Sequence, residues 1–101
     1  MSMQFEFGDD DAIVSLSGEF TFTDHVAFKA ISVRLFERQG QPIIIDLARL
    51  EFIDSAGLGM LLIVRDEADK AHRGLILRSP CGQVKRMFDV TKFDTLFTVE
   101  A

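Results

Sequence analysis

The chain has no tryptophan and no tyrosine; its aromatic content is ten phenylalanines. Its interior must therefore be built from aliphatic side chains and phenyl rings, which carry no polar tip in need of a partner. Cysteine is nearly absent. The single Cys81 excludes an internal disulfide and fits a reducing compartment. Following Pro80 in a turn, it reads first as a passive small residue and only second as a reactive thiol. Positive charge is scarce: eleven Lys and Arg against sixteen Asp and Glu leave a net charge of −5. A general nucleic-acid binder needs a basic face, and Lys85-Arg86 is too little to make one, so no nucleic-acid partner is expected. Two histidines and one cysteine, none at ligand spacing, predict no metal site, and no cofactor is expected. The longest uncharged apolar run, residues 56–64, is far short of the ~20 residues that span a bilayer. No basic-then-apolar leader opens the sequence, so no signal peptide is expected. A soluble, cytoplasmic protein without a membrane partner is the expectation.

What is present suits one globular domain over residues 1–101, with a 48% hydrophobic composition and no linker, internal repeat or low-complexity segment. Residues 4–7 alternate weakly and stop at Gly8-Asp9-Asp10-Asp11, a turn; residues 12–16 alternate again and end near Gly18, predicting a β-hairpin. The Asp run lacks the spaced ligands and distal Glu of a calcium loop and reads as a solvated turn. Thr23 or Asp24 can cap a helix whose Phe28, Ile31 and Leu35 form one buried stripe, with Gly40 as its stop and Pro42 beyond. Residues 43–47 read as a central strand, apolar on both faces. Asp54 or Ser55 opens a second helix that runs to about His72 and ends at Gly74. Residues 75–77 form another buried strand. Pro80 suits the first turn of a short helix carrying Val84, Met87 and Phe88, and a last strand lies around residues 97–99. The order β-β-α-β-α-β-α-β, with crossover helices, predicts an α/β fold with a mixed, mostly parallel sheet.

The densest information lies in residues 42–68. Buried strand turns sharply at Asp54-Ser55 into an apolar helix beginning Ala56-Gly57-Leu58-Gly59. Helix N-termini leave N–H groups unpaired and carry the positive end of the dipole, which suits a phosphate, bound or covalent. On local physics alone, a capping serine also accounts for Ser55. Catalytic readings fare poorly. A nucleophile elbow needs glycine two residues before the serine, where Ile53 stands. His72 would lie about 25 Å along the helix at 1.5 Å per residue, and His25 lacks an orienting acid. Gly57-Leu58-Gly59 mimics a dinucleotide fingerprint, but its third glycine would fall at Leu62. A phosphoacceptor Asp of the receiver type is missing, since Asp46 is embedded in a strand and the acidic run lies in a turn. The apolar residues 60–64 read as burial against the sheet rather than as a membrane surface.

Asp54-Ser55-Ala56-Gly57-Leu58-Gly59, preceded by Ile43-Ile44-Ile45-Asp46-Leu47 and Phe52-Ile53, resembles the signature of STAS domains of the anti-sigma factor antagonist type. The likeness takes in Gly18-Glu19, Leu75-Ile76-Leu77, Val84-Lys85-Arg86-Met87-Phe88 and Phe93-Asp94, nearly the whole chain. It implies a single STAS domain that is not an enzyme but a partner-switching phosphoprotein of bacterial transcription regulation and signal transduction. In that family the serine after Asp, here Ser55, is phosphorylated by a serine kinase of ATPase type, usually an anti-sigma factor, and a PP2C-type phosphatase reverses it. One place departs: many antagonists carry Asp where Thr21 stands after Gly18-Glu19. The run Phe20-Thr21-Phe22-Thr23-Asp24-His25-Val26-Ala27-Phe28-Lys29 is similar to a branch that works with response-regulator-linked kinase/phosphatase proteins in motility and biofilm control.

The resemblance thus implies a chain that binds its regulator while Ser55 is unmodified and releases it on phosphorylation. Asp54 is expected to cap the helix, Gly57 and Gly59 to allow close approach, and Leu58, Thr21 and Asp24 to line the contact surface. The alternative is a small-molecule or nucleotide-binding module that uses the same helix N-terminus at Ser55.

Overall fold

The computed structural model describes residues 3–8, 12–37 and 41–101. The elements run β1 (Gln4–Phe7), β2 (Ile13–Phe20), α1 (His25–Glu37), β3 (Ile43–Ile53), α2 (Ser55–Lys70), β4 (Leu75–Arg78), α3 (Gly82–Thr91) and β5 (Thr98–Glu100). Short 3-10 turns at Phe22–Asp24 and Phe93–Thr95 are added to the expected order. The strands form one sheet in the order β1-β2-β3-β4-β5. β1 and β2 pair antiparallel; the three pairs joined through helices are parallel, as crossover connections require.

The core lies on one face of this sheet. Val14, Leu16 and Phe20 of β2 and Ile43, Ile45, Leu47 and Ile53 of β3 are fully buried. Between them Ser15, Ser17, Ile44 and Asp46 are only partly covered. Residues 43–47 are central, as expected, but they are not apolar on both faces. On the open face Asp46 pairs with Arg78 of β4 at 2.9 Å. Against the closed face pack Phe28, Ile31 and Leu35 of α1, the anticipated stripe, and Leu58, Leu61, Val64 and Ala68 of α2. Phenylalanines fill the rest: Phe20 meets Phe28 at 4.8 Å between centroids, and Phe93 meets both Phe88 and Phe97. Among the described residues no buried side-chain polar atom lacks a hydrogen bond.

Several boundaries differ from the expectation, each for a local reason. β2 runs past Gly18, which takes a φ of +82° at a register shift, and continues to Phe20. β3 runs on to Ile53, because β2 accompanies it over that length through two such shifts. Thr21 precedes the 3-10 turn at which Asp24 was expected to cap, and α1 starts only at His25. α2 ends at Lys70, not at Gly74: His72 takes the left-handed position, Arg73 N–H donates to the Ala68 carbonyl and His72 N–H to that of Asp69. That pair of bonds is the Schellman closure. Gly74 instead accepts from Ile43 N–H at 2.8 Å at the start of β4. Cys81 is the N-cap of α3, which leaves Pro80 outside the helix. The predicted stop at Gly40 and the turn at Asp9-Asp10-Asp11 lie outside the described residues.

Candidate functional site

Ser55 is the first residue of α2, and its side chain is exposed. Its hydroxyl has no hydrogen-bond partner among the described residues. The capping role belongs to Asp54, whose backbone is extended and whose Oδ1 accepts the Gly57 N–H at 2.8 Å. The other oxygen, Oδ2, accepts the Phe22 N–H at 3.2 Å from the turn between β2 and α1. Asp54 N–H in turn donates to the Phe20 carbonyl at 3.3 Å. One residue thereby ties the end of β2, the end of β3 and the start of α2 into a single junction, with Ser55 on its outer side.

The two glycines at this helix start do different things. A methyl group on Gly57 would lie 2.7 Å from Ile53 Cγ1 and 2.8 Å from the Phe20 carbonyl oxygen, so only glycine lets α2 press onto the strand ends. A methyl group on Gly59 would meet nothing within 4 Å. Close approach at Gly57 is therefore made within the chain, while Gly59 is open to a partner.

Of the residues expected to line a contact surface, two are placed beneath it. Leu58 is 5% exposed and belongs to the core. Asp24 is 4% exposed, and its carboxylate accepts the Thr21 N–H at 2.8 Å and the Met3 N–H at 3.2 Å. Leu58 turns inward because burying apolar surface is favourable, whereas Asp24 is held there by two N–H donors that offset the cost of taking its carboxylate out of water. Thr21 is partly exposed, its hydroxyl 3.1 Å from that of Thr23.

Other residues take the surface instead. Phe22 is 67% exposed, with its ring 5.6 Å from that of His25, whose Nδ1 lies 3.1 Å from the Phe22 carbonyl. Val26 and Ile63 are also mostly exposed. A cleft of about 380 Å³ between α1 and α2 is lined by Phe28, Met60, Ile63 and Val64, with Lys29 and Glu67 bearing opposite charges. Ile63 departs from the expectation that residues 60–64 are buried against the sheet, because it lies on the outer side of α2. Two further hollows, of about 410 and 510 Å³, are lined by residues of β1, β2 and β3 and by residues around α3 and the C-terminus; neither includes Ser55.

The model of the Mlab, STAS domain family matches residues 3–99. The chain belongs to the STAS domain family. A STAS-domain containing protein of Pseudomonas aeruginosa is 27% identical over 92 residues, which cover 85% of this chain and 84% of that one. Among solved structures, an anti-sigma factor antagonist from Mycobacterium paratuberculosis superposes with a TM-score of 0.83 at 23% identity, covering 97% of this chain and 85% of its own. The anti-sigma factor antagonist SpoIIAA in its unphosphorylated form gives 0.68 at 24%, covering 98% and 86%. This STAS domain thus has the α/β fold of the anti-sigma factor antagonists. No helix among its described residues is long and apolar enough to cross a membrane.

The electrostatics of this STAS junction separate two kinds of anion chemistry. Asp54 already places a carboxylate over the N-terminus of α2 and occupies the Gly57 N–H. A free phosphate arriving there would find its place taken by like charge. A phosphate attached covalently to the exposed Ser55 hydroxyl would need no vacant binding pocket.

Proposed function

We propose that the protein is a non-enzymatic, phosphorylation-switched anti-sigma factor antagonist. With Ser55 unmodified it binds an anti-sigma factor or a related kinase regulator in the cytoplasm; phosphorylation of Ser55 releases that partner, and a PP2C-type phosphatase resets the switch. The observation that carries this reading is an exposed, unbonded serine at the first position of α2, immediately beside a capping carboxylate. The antagonist fold and a neighbour described in its unphosphorylated form support it.

The contact surface of this reading is Thr21, Phe22 and Ser55, with Gly59 where a partner's backbone comes close. Asp24, Asp54, Gly57 and Leu58 hold that surface from beneath. Phosphate adds about −1.5 to −2 charge at neutral pH. Next to Asp54, at the centre of an interface, that charge brings bulk and repulsion; about 3 kcal/mol of lost affinity corresponds to more than a hundredfold. The small-molecule alternative is disfavoured by the occupied helix N-terminus.

The deciding experiment is intact-mass measurement after incubation with ATP and a serine kinase of the ATPase-type anti-sigma or response-regulator-linked class. One phosphate on the wild type and none on Ser55→Ala is the expected result. Modification on Ser79 or Thr23 instead would remove the assignment. Calorimetry should then show Ser55→Ala binding the partner as the unphosphorylated wild type does and Ser55→Asp binding it at least tenfold more weakly.

A further inference from the structure

β3 outruns its neighbour on one side. β4 pairs with it from Ile43 to Asp46 only, whereas β2 accompanies it to Ile53. At that far end the first turn of α3 stands in for the missing strand. Gln83 Oε1 accepts the Ile53 N–H at 2.9 Å, and Gln83 Nε2 donates to the Ile53 carbonyl at 3.0 Å. A side-chain amide is suited to this, since it donates and accepts as a peptide group does. Both backbone groups of one residue are thus held by a side chain thirty positions away. The held residue is buried and directly precedes Asp54, whose two oxygens divide between Gly57 and Phe22.

We propose that Gln83 is a positioning residue for Ser55. By gripping Ile53 it sets the direction in which β3 delivers Asp54 and Ser55 into α2, and it couples α3 to the switch surface. The functional meaning of this grip rests on the phosphorylation reading, whereas the grip and its coupling are measurable on the protein alone. A mere packing tie would loosen the whole sheet when cut. A positioning contact would move the Ser55 junction selectively.

The test is amide exchange and ¹H–¹⁵N spectroscopy of the full chain. Gln83→Met keeps the length and removes both bonds. The Ile53 amide should then exchange on the order of tenfold faster, the scale of one lost hydrogen bond. Cross-peaks of Asp54, Ser55, Ala56 and Gly57 should move, while those of Ile45 and Leu77 stay. Gln83→Glu keeps an acceptor for the Ile53 N–H but has no donor for the carbonyl at neutral pH. Its Ser55 cross-peak should return to the wild-type position, read at the same pH, as the carboxyl protonates below about pH 4.3 and regains an O–H donor. Ser55→Asp should in return shift the Gln83 side-chain amide signals. Unchanged exchange at Ile53 in Gln83→Met, or equal disturbance of Ile45 and Leu77, overturns the proposal. No kinase enters these measurements, so an unphosphorylated Ser55 would defeat the switch reading and leave this result standing.

Discussion

Asp54 fastens Phe22 to the start of α2: one carboxylate oxygen accepts the Phe22 N–H at 3.2 Å while the other caps the helix at Gly57. The turn that exposes the Phe22 ring and the helix that exposes Ser55 are therefore tied together by one side chain. Charge and helix cap meet in this one carboxylate, which also holds the turn at Phe22.

Removing the shared carboxylate should cost more than a simple cap. Asp54→Ala is expected to lower the unfolding free energy by about 1–2 kcal/mol, and Asp54→Asn by less, since the amide oxygen can still accept from Gly57. Urea unfolding of the three proteins measures both changes. Equal midpoints for wild type and Asp54→Ala would contradict the capping geometry.

The two glycines should respond oppositely to alanine. Gly57→Ala forces a methyl group to within 2.8 Å of the Phe20 carbonyl oxygen, and backbone cannot step aside as a side chain can. Destabilisation of about 1–3 kcal/mol follows. Gly59→Ala meets open space and should stabilise the helix by roughly 0.5–1 kcal/mol. Thermal melts decide both signs, and weaker partner binding by a stable Gly59→Ala protein would locate the approach of that partner.

Phosphate on Ser55 should leave the fold intact. Negative charge at the first turn of a helix is favourable by about 0.3–1 kcal/mol. Ser55→Asp is accordingly expected to melt within a few degrees of wild type. A largely unfolded Ser55→Asp protein, seen by circular dichroism, would exclude switching at an interface.

At the other end of α2, His72 holds a left-handed conformation, with φ of +56°, that glycine adopts freely. Relieving it by His72→Gly should raise stability by about 1 kcal/mol, less the extra freedom that glycine gives the unfolded chain. A lower melting temperature would mean that the histidine side chain contributes more than its backbone strain costs.

Acid should weaken the open face of the sheet. Burial tends to raise the Asp46 carboxyl, but the Ala48 N–H, the Arg78 guanidinium and Arg49 outweigh it and hold it below the ordinary carboxylate value. A lowered folded value stabilises the protein above the unfolded pKa of about 3.9 and is lost as pH falls through the folded one. In Asp46→Asn, stability should fall less steeply with decreasing pH below about 4 than in wild type. Identical slopes in urea titrations would show that the Asp46–Arg78 pair is not linked to folding.

Much of this architecture is legible in the sequence because its causes are local. The Phe28, Ile31, Leu35 stripe follows from a helical period, and the strands at residues 43–47 and 75–77 follow from aliphatic runs. The helix start at Asp54-Ser55 follows from capping chemistry: an acid able to receive the first unpaired N–H groups stands directly before an apolar run. The composition likewise dictated an interior of phenyl and aliphatic groups.

What tertiary structure alone decided are relations between residues distant in sequence. Gly57 and Gly59 look alike in the chain, yet one faces the Phe20 carbonyl and the other open space. Leu58 and Asp24 turn inward while Phe22 turns outward, because the junction of β2, β3 and α2 determines which direction is inside. Both faces of residues 43–47 read as apolar, but helices cover only one face of the sheet, and Asp46 was left to find Arg78 on the other. Gln83 gave no local sign of its grip on Ile53, for a hydrogen bond across thirty residues leaves no periodicity or spacing to read. Local preference specifies the elements of this protein; only their packing determines which side chains meet at Ser55.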